Sequence, residues 1–289
     1  MGGIGSNFFD AAGWYDGLQV GITKRMSNGF QVQGSYTWSK CIDTESSSIA
    51  TDTYLNSARD LPFFDAQARR GVCDYNLAHV FVGNYIWQVP KARFANSAAS
   101  HVLNGWELGG VITTNTGSPF TVLISGNPLG MNSSDAIDFP NRLWGTSGCS
   151  NPINPGSVNY LKLNCFTPPT APASFASMCQ PAAASVAALI PNTCMNLLGD
   201  NGRNTLIGPG LFDFDFSLFK NNYIPKISES FNVQFRAEFF NILNHTNFQS
   251  PLDNKTIFTQ TGTLVGGAGV IDATTTTSRQ IQLGLKVIF

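Results

Sequence analysis

The chain has 289 residues; only 12% are charged and 43% hydrophobic, against roughly 25% charged in an ordinary soluble protein. A net charge of −1 supplies neither a basic surface for nucleic acid nor a polybasic membrane patch. The longest apolar stretch, Ala182 to Ile190 between Pro181 and Pro191, falls far short of the ~20 residues of a spanning helix, so a membrane location would require a β-barrel.

Asn, Ser, Thr, Gln and Gly replace the missing charge, a mixture that suits alternating strands joined by polar loops. Met1-Gly2-Gly3-Ile4-Gly5 has neither a basic n-region nor an apolar h-region, so it is not a secretory signal. For an exported protein the expectation is a fragment of a longer chain. The first pattern is a hairpin: Leu18, Val20 and Ile22 alternate with Gln19, Gly21 and Thr23, and Met26-Ser27-Asn28-Gly29 leads into the next run. Asn-Gly is the preferred two-residue hairpin turn. From Phe30 to Ser39 every position alternates, with Phe30, Val32, Gly34, Tyr36 and Trp38 opposite Gln31, Gln33, Ser35, Thr37 and Ser39.

Further strands are predicted over about 77–89, 104–115 (with a possible extension to 124 through Pro119), 211–221, 230–241 and 280–289, seven in all. Phe231, Val233, Phe235, Ala237 and Phe239 oppose Asn232, Gln234, Arg236 and Glu238; Ile281, Leu283, Leu285, Val287 and Phe289 oppose Gln280, Gln282, Gly284 and Lys286. An aromatic or aliphatic face opposite a charged one suits a strand between lipid and a wet lumen. Short connections near 25–29, 90–103 and 222–230 alternate with long ones at 40–76, 125–210 and 242–279, as periplasmic turns alternate with extracellular loops. The predicted class is therefore all-β, an antiparallel transmembrane β-barrel segment. Trp14, Tyr15, Tyr36, Trp38, Phe212 and Phe239 would form an outer aromatic girdle, and Phe30, Tyr85, Trp87, Trp106, Phe231 and Phe289 an inner one. The alternative is that these aromatics pack a soluble β-sandwich core.

Cys41, Cys73, Cys149, Cys165, Cys179 and Cys194 all fall in the first two long loops. An even number confined to loops predicts disulfides in an oxidising compartment. Cys41 would pair with Cys73; sequence order favours Cys149–Cys165 and Cys179–Cys194, although four cysteines permit three pairings. His79, His101 and His245 have no metal-ligand spacing and there is no C-x-x-C pair, so no metal or other cofactor is expected. No G-x-S-x-G elbow occurs, and Gly266-Gly267-Ala268-Gly269 reads as flexible loop, not a phosphate cradle. Asp213 and Asp215 share a strand face and could make a catalytic pair, but a solvated lumen explains them better; with Arg236 and Glu238 they read as a lumenal charge network. The expectation is not an enzyme.

Several runs then resemble one family. Tyr15-Asp16-Gly17-Leu18-Gln19-Val20, Lys24-Arg25 and Gly34-Ser35-Tyr36-Thr37-Trp38-Ser39-Lys40 are similar to a recurrent hairpin of Oar-like TonB-dependent receptors. So are Gly105-Trp106-Glu107-Leu108, Gly117-Ser118-Pro119-Phe120-Thr121-Val122, Gly202-Arg203-Asn204-Thr205, Gly208-Pro209-Gly210 and Asp215-Phe216-Ser217-Leu218-Phe219-Lys220. Phe235-Arg236-Ala237-Glu238-Phe239-Phe240-Asn241-Ile242-Leu243-Asn244-His245, with Asn247-Phe248, is the most specific run, and Arg279-Gln280-Ile281-Gln282-Leu283-Gly284-Leu285-Lys286 ends the series.

The resemblance implies a barrel of usually 22 strands filled by a plug and driven by an inner-membrane energy-coupling protein. Residues 1–289 would be its C-terminal part, about a third of the barrel, with no counterpart here of the plug, coupling box or N-terminal domain. It further implies the outer membrane of a Gram-negative bacterium, contact with outer-membrane lipid, and uptake of an unidentified substrate. Phe289 resembles the terminal aromatic by which barrel-assembly machinery recognises its clients. The alternative function is a secreted or cell-surface β-sandwich binding module with disulfide-pinned loops; an enzyme ranks third.

Overall fold

The computed structural model describes residues 11–44, 46, 65–92, 97–126, 128–129, 138–249 and 254–289. Residues 1–5 and parts of the three long connections, about which expectations were stated, lie outside this set.

Seven long strands dominate: β1 (Gly13–Ser27), β2 (Phe30–Asp43), β3 (His79–Gln88), β4 (Trp106–Asn115), β5 (Leu211–Tyr223), β6 (Asn232–Phe240) and β7 (Gln280–Ile288). They pair in chain order, each antiparallel to the next, and Gly71–Val72 pairs with the outer end of β2. The β1–β2 turn needs Asn28 and Gly29, because both adopt positive φ (53° and 75°), the geometry of a type I′ turn. The 89–105 connection carries a short helix, Ser97–Leu103, where the sequence suggested only a turn.

Register turns alternation into two surfaces. Val20, Tyr36, Phe81, Thr114 and Phe212 form one cross-strand row; Val32, Tyr85, Gly110, Phe216, Phe239 and Ile281 form another closer to the inner end. Apolar residues of all seven strands thus share one face. Its charges are confined to its edges. Asp16 lies opposite Lys40 at the outer end. At the inner end Lys24 donates to the carbonyls of Ser27 and Phe30, and Lys220 to Asn221 O and Asn222 Oδ1. Such stems lie along apolar surface while their heads reach polar groups. The opposite face is mostly amide and hydroxyl, although β3 and β4 place Val80, Val82, Ile86 and Val111 on it.

The sandwich alternative is set aside. The seven long strands form one sheet, and Leu18, Ile22, Ile281, Leu283 and Leu285 remain exposed on its apolar face instead of packing against a second sheet. Among the described residues, only Cys41 and Ala237 of the buried hydrophobic set lie in the long strands. The buried core lies in the outer connections, where Phe120, Val122, Ile124, Tyr160, Leu161, Phe166, Met195, Leu206, Ile257, Phe258 and Ile271 pack together. Each such side chain contributes about 1.5–3 kcal/mol on burial. Ribbons of two or three residues frame it: Pro119–Phe120 with Leu206–Ile207, Leu123–Ile124 with Thr256–Phe258, and Asn141–Arg142 with Phe166–Thr167.

Two expectations are corrected. β4 does not continue to 124: it ends at Asn115, and residues 119–124 instead pair with later loop segments. Gly117 passes so close to the Gly208 carbonyl that a Cβ would collide with it, and Pro119 has no N–H to extend the ladder. Nor is Gly266-Gly267-Ala268-Gly269 a loose loop. Ala268 is buried, Gly269 N donates to Asn254 O, and Gly269 O accepts from Tyr160 and Leu161. Gly269 has φ +70° and no room for a Cβ beside Leu161, which explains the glycine.

For a sheet whose apolar face meets lipid, Leu283→Arg is expected to lower stability in lipid vesicles by about 2–4 kcal/mol, with Gln282→Arg on the other face nearly neutral. Denaturant titration of both variants checks the asymmetry; equal losses would refute the face assignment.

Candidate functional site

The polar face holds the four residues expected to make a charge network. Asp213 and Asp215 point the same way from β5, four and two residues from Ser217, which lies opposite Glu238 as Phe219 lies opposite Arg236. Asp215 accepts from the backbone N–H of Asn241 at 2.9 Å. Arg236 donates to Gln234 Oε1 at 2.6 Å, and its guanidinium lies 5.5 Å from the Phe219 ring centroid. Among the described residues, no ion pair joins Arg236 to any of the three carboxylates. The arrangement is a shared hydrogen-bonding wall, with Asn221 Oδ1 accepting from both Asn232 and Gln234.

At the outer end of this face the wall passes into the cap. Arg203 is fully buried there. It donates to Asp43 Oδ1 and Asp43 O, to Arg69 O (2.9 Å) and to Ser46 Oγ (3.0 Å), and lies 3.6 Å from Asp74 Oδ1. The next residue continues the junction. Asn204 donates from its backbone to Thr121 Oγ1 (2.9 Å) and from its side chain to Val72 O (2.7 Å) and Asp74 Oδ1. Two adjacent residues at the end of the second connection therefore grip the start of that connection, the first connection and the end of β2. The buried guanidinium is tolerable because its hydrogen bonds and carboxylates replace the water it has lost.

The cysteines fasten the same structure. Cys41–Cys73, Cys149–Cys165 and Cys179–Cys194 are bonded, with Cα separations of 5.4, 5.3 and 4.8 Å. The first bridge ties β2 to the segment leading into β3, beside the Arg203 junction. Cys41, Asp43 and Cys73 come close enough for their ligand atoms to suggest a metal site. Both sulfurs are consumed by the disulfide and Asp43 by Arg203, so the cluster is a covalent and ionic joint.

The most specific sequence run acquires a physical role. β6 pairing reaches only as far as Phe216 on β5, leaving Phe212 beyond its end. Asn247 replaces the missing strand there: its Oδ1 accepts from Phe212 N at 2.8 Å and its Nδ2 donates to Phe212 O at 3.0 Å. Asn241 donates to His245 O and Thr277 O, and Asn244 accepts from Arg279 N. Asn241 and Asn244 have positive φ, which asparagine tolerates better than most residues. The three asparagines thus bind the mouth of the third connection. His79 hydrogen-bonds Tyr36 at 2.7 Å, while His245 lies against Asn247 on another element.

Sequence reading missed two groups. Arg203 was carried only within its Gly-Arg-Asn-Thr run, which was the one signal available. Asp138 was not singled out. It is 1% exposed, and neither carboxylate oxygen has a partner in good hydrogen-bonding geometry; burial pushes its pKa up to about 7, and the nearby backbone N–H groups of Phe139 and Gly199 oppose the rise only weakly. Nearby, burial lowers the pKa of Arg142 while the Asp200 carboxylate opposes the shift.

A family model described as "Outer membrane beta barrel domain" matches residues 1–282. No match was found among curated proteins or solved structures.

Arg203→Ala withdraws the cation from Asp43 and Asp74 in a buried setting, where breaking such a pair costs about 3–5 kcal/mol. The variant is expected to expose the first and second outer connections to protease while the strands remain assembled. Unchanged cleavage would refute the clamp.

Proposed function

Because this chain belongs to the outer-membrane β-barrel domain family, and so spans the Gram-negative outer membrane with its apolar face in lipid, we propose that it forms wall and cap of an Oar-like TonB-dependent receptor. In this reading the receptor takes up a substrate using energy delivered from an inner-membrane coupling protein. The observation that carries it is the cap. The second and third outer connections share a buried core, the Arg203–Asn204 junction fastens the first to the second, and three disulfides brace the first and second from within. A folded outer structure of this extent suits selective capture.

Strand number supports a large barrel. Among the described residues, β1 and β7 each have one long-strand neighbour, and an odd-numbered antiparallel meander makes them run in the same direction. Pairing them with each other would be parallel, whereas single-chain bacterial barrels are antiparallel with even strand numbers. Unpaired edges are untenable in hydrocarbon, so closure takes an odd number of further strands. The 22-stranded barrel of the resembling family fits that parity.

Deleting the gene in its host is expected to abolish uptake of a particular medium solute, and dissipating the inner-membrane proton gradient to abolish uptake of that same solute in the parent strain. Comparative depletion of the medium measures both; uptake that survives de-energisation would identify a passive pore instead. The barrel-assembly role proposed for Phe289, which is 93% exposed beyond β7, has a separate readout. Phe289→Ala should reduce the heat-modifiable, membrane-inserted fraction several-fold, and normal assembly would remove that role.

A further inference from the structure

We propose that Asp138 is a proton-operated latch on the outer cap: its carboxylic acid is accommodated while the cap is closed, and its ionisation loosens the seam between the second and third outer connections. The proposal rests on reading those connections as a substrate-facing cap and concerns how that cap is regulated.

The geometry places Asp138 within the seam. Its carbonyl accepts from Ile124 N at 2.8 Å. The Leu123–Ile124 segment pairs in parallel with Thr256–Phe258 of the third connection, through Leu123 N to Lys255 O and Ser125 N to Phe258 O. On the other flank, Gly199 N donates to Phe139 O at 2.9 Å and Asn201 N to Pro140 O at 3.1 Å. Asp138 therefore lies where three stretches of the cap meet.

Its environment disfavours the ionised form. Both oxygens are buried with no partner in hydrogen-bonding geometry, and the loss of hydration an ionised carboxylate suffers there outweighs what the nearby backbone N–H groups of Phe139 and Gly199 return. Among the described residues, the charged groups on the adjoining segments are Arg142, Asp200 and Lys255; segment 121–126 has none. Arg142 stacks on Trp144 at 3.7 Å and donates to Ser150 O, while Asp200 accepts from Arg142 N. None of the three forms an ion pair with Asp138. The backbone N–H groups of Phe139 and Gly199 offset only part of the desolvation cost, and Gly199 N also donates to Phe139 O.

The direction of the effect follows from linkage. The closed cap holds the proton up to about pH 7, whereas an opened cap would release it in the ordinary carboxylate range. Closure is therefore most favourable in acid, weakens as pH rises through that interval and levels off above about 7, each unit changing the opening constant by up to about tenfold.

The test uses the whole chain in outer-membrane vesicles, following hydrogen exchange at the Ile124 and Gly199 amides, corrected for intrinsic rates, between about pH 5 and pH 8.5. Opening should increase up to about a hundredfold between about pH 5 and pH 7. Asp138→Asn should flatten the profile, and Asp200→Asn should leave it intact. An identical profile in Asp138→Asn, or a cap that loosens in acid, would overturn the latch. Should Asp138→Asn fail to assemble, the infrared carbonyl band of a protonated carboxylic acid in the wild type decides: loss near pH 7 supports the proposal and absence at pH 5 overturns it. None of these readouts involves uptake. A pH-insensitive cap would sink the latch alone, and energy-independent uptake would sink the receptor reading alone.

Discussion

The backbone hydrogen bond in a solvent that offers no replacement governs this molecule. In hydrocarbon an unpaired N–H or C=O costs several kcal/mol, so the long strands must lie side by side in an unbroken ladder. Alternation, short inner turns and consecutive pairing all satisfy that requirement. Where the ladder ends early, the structure supplies substitutes: Asn247 takes the place of a neighbouring strand for Phe212, and Asn28-Gly29 folds β1 onto β2 with two residues.

Outside the membrane, water can satisfy the backbone and a different economy applies. The cap has few regular elements, and its ribbons are only two or three residues long. It compensates with an interior built from isolated apolar residues far apart in sequence, three covalent bridges and a buried arginine. The arrangement also divides the labour of stability. Lipid and ladder hold the wall, whereas sequestration from water and cross-linking hold the cap, so perturbations of one need not unfold the other.

The division explains what was legible in advance. Strands β2, β6 and β7 declare themselves because one face meets lipid and the other does not, and a period of two survives in the local sequence. β3 and β4 were located but their faces were not read, since Val80, Val82, Ile86 and Val111 blur the alternation. The disulfides followed sequence order because each closes a short local loop. The cap interior had no such periodicity. Arg203 meets Asp43 across 160 residues, and a charged side chain in a loop ordinarily signals solvent exposure. Asp138 was invisible for the same reason. The glycine run at 266–269 looked loose because glycine marks both mobile chain and crowded chain, and only the neighbouring Leu161 distinguishes them.

The charges at the two edges of the apolar face form a ruler. From Asp16 to Lys24 is eight residues, about 26 Å along a strand, or about 20 Å of membrane depth at the tilt usual for such barrels. With the lysine stems reaching outward, this suits a bilayer thinner than average, as the bacterial outer membrane is. A thicker bilayer would either swallow the charged ends or be pinched around the protein. Hydrophobic matching therefore fixes the wall vertically, and through the joint at Arg203 it also sets the height at which the cap stands above the lipid headgroups.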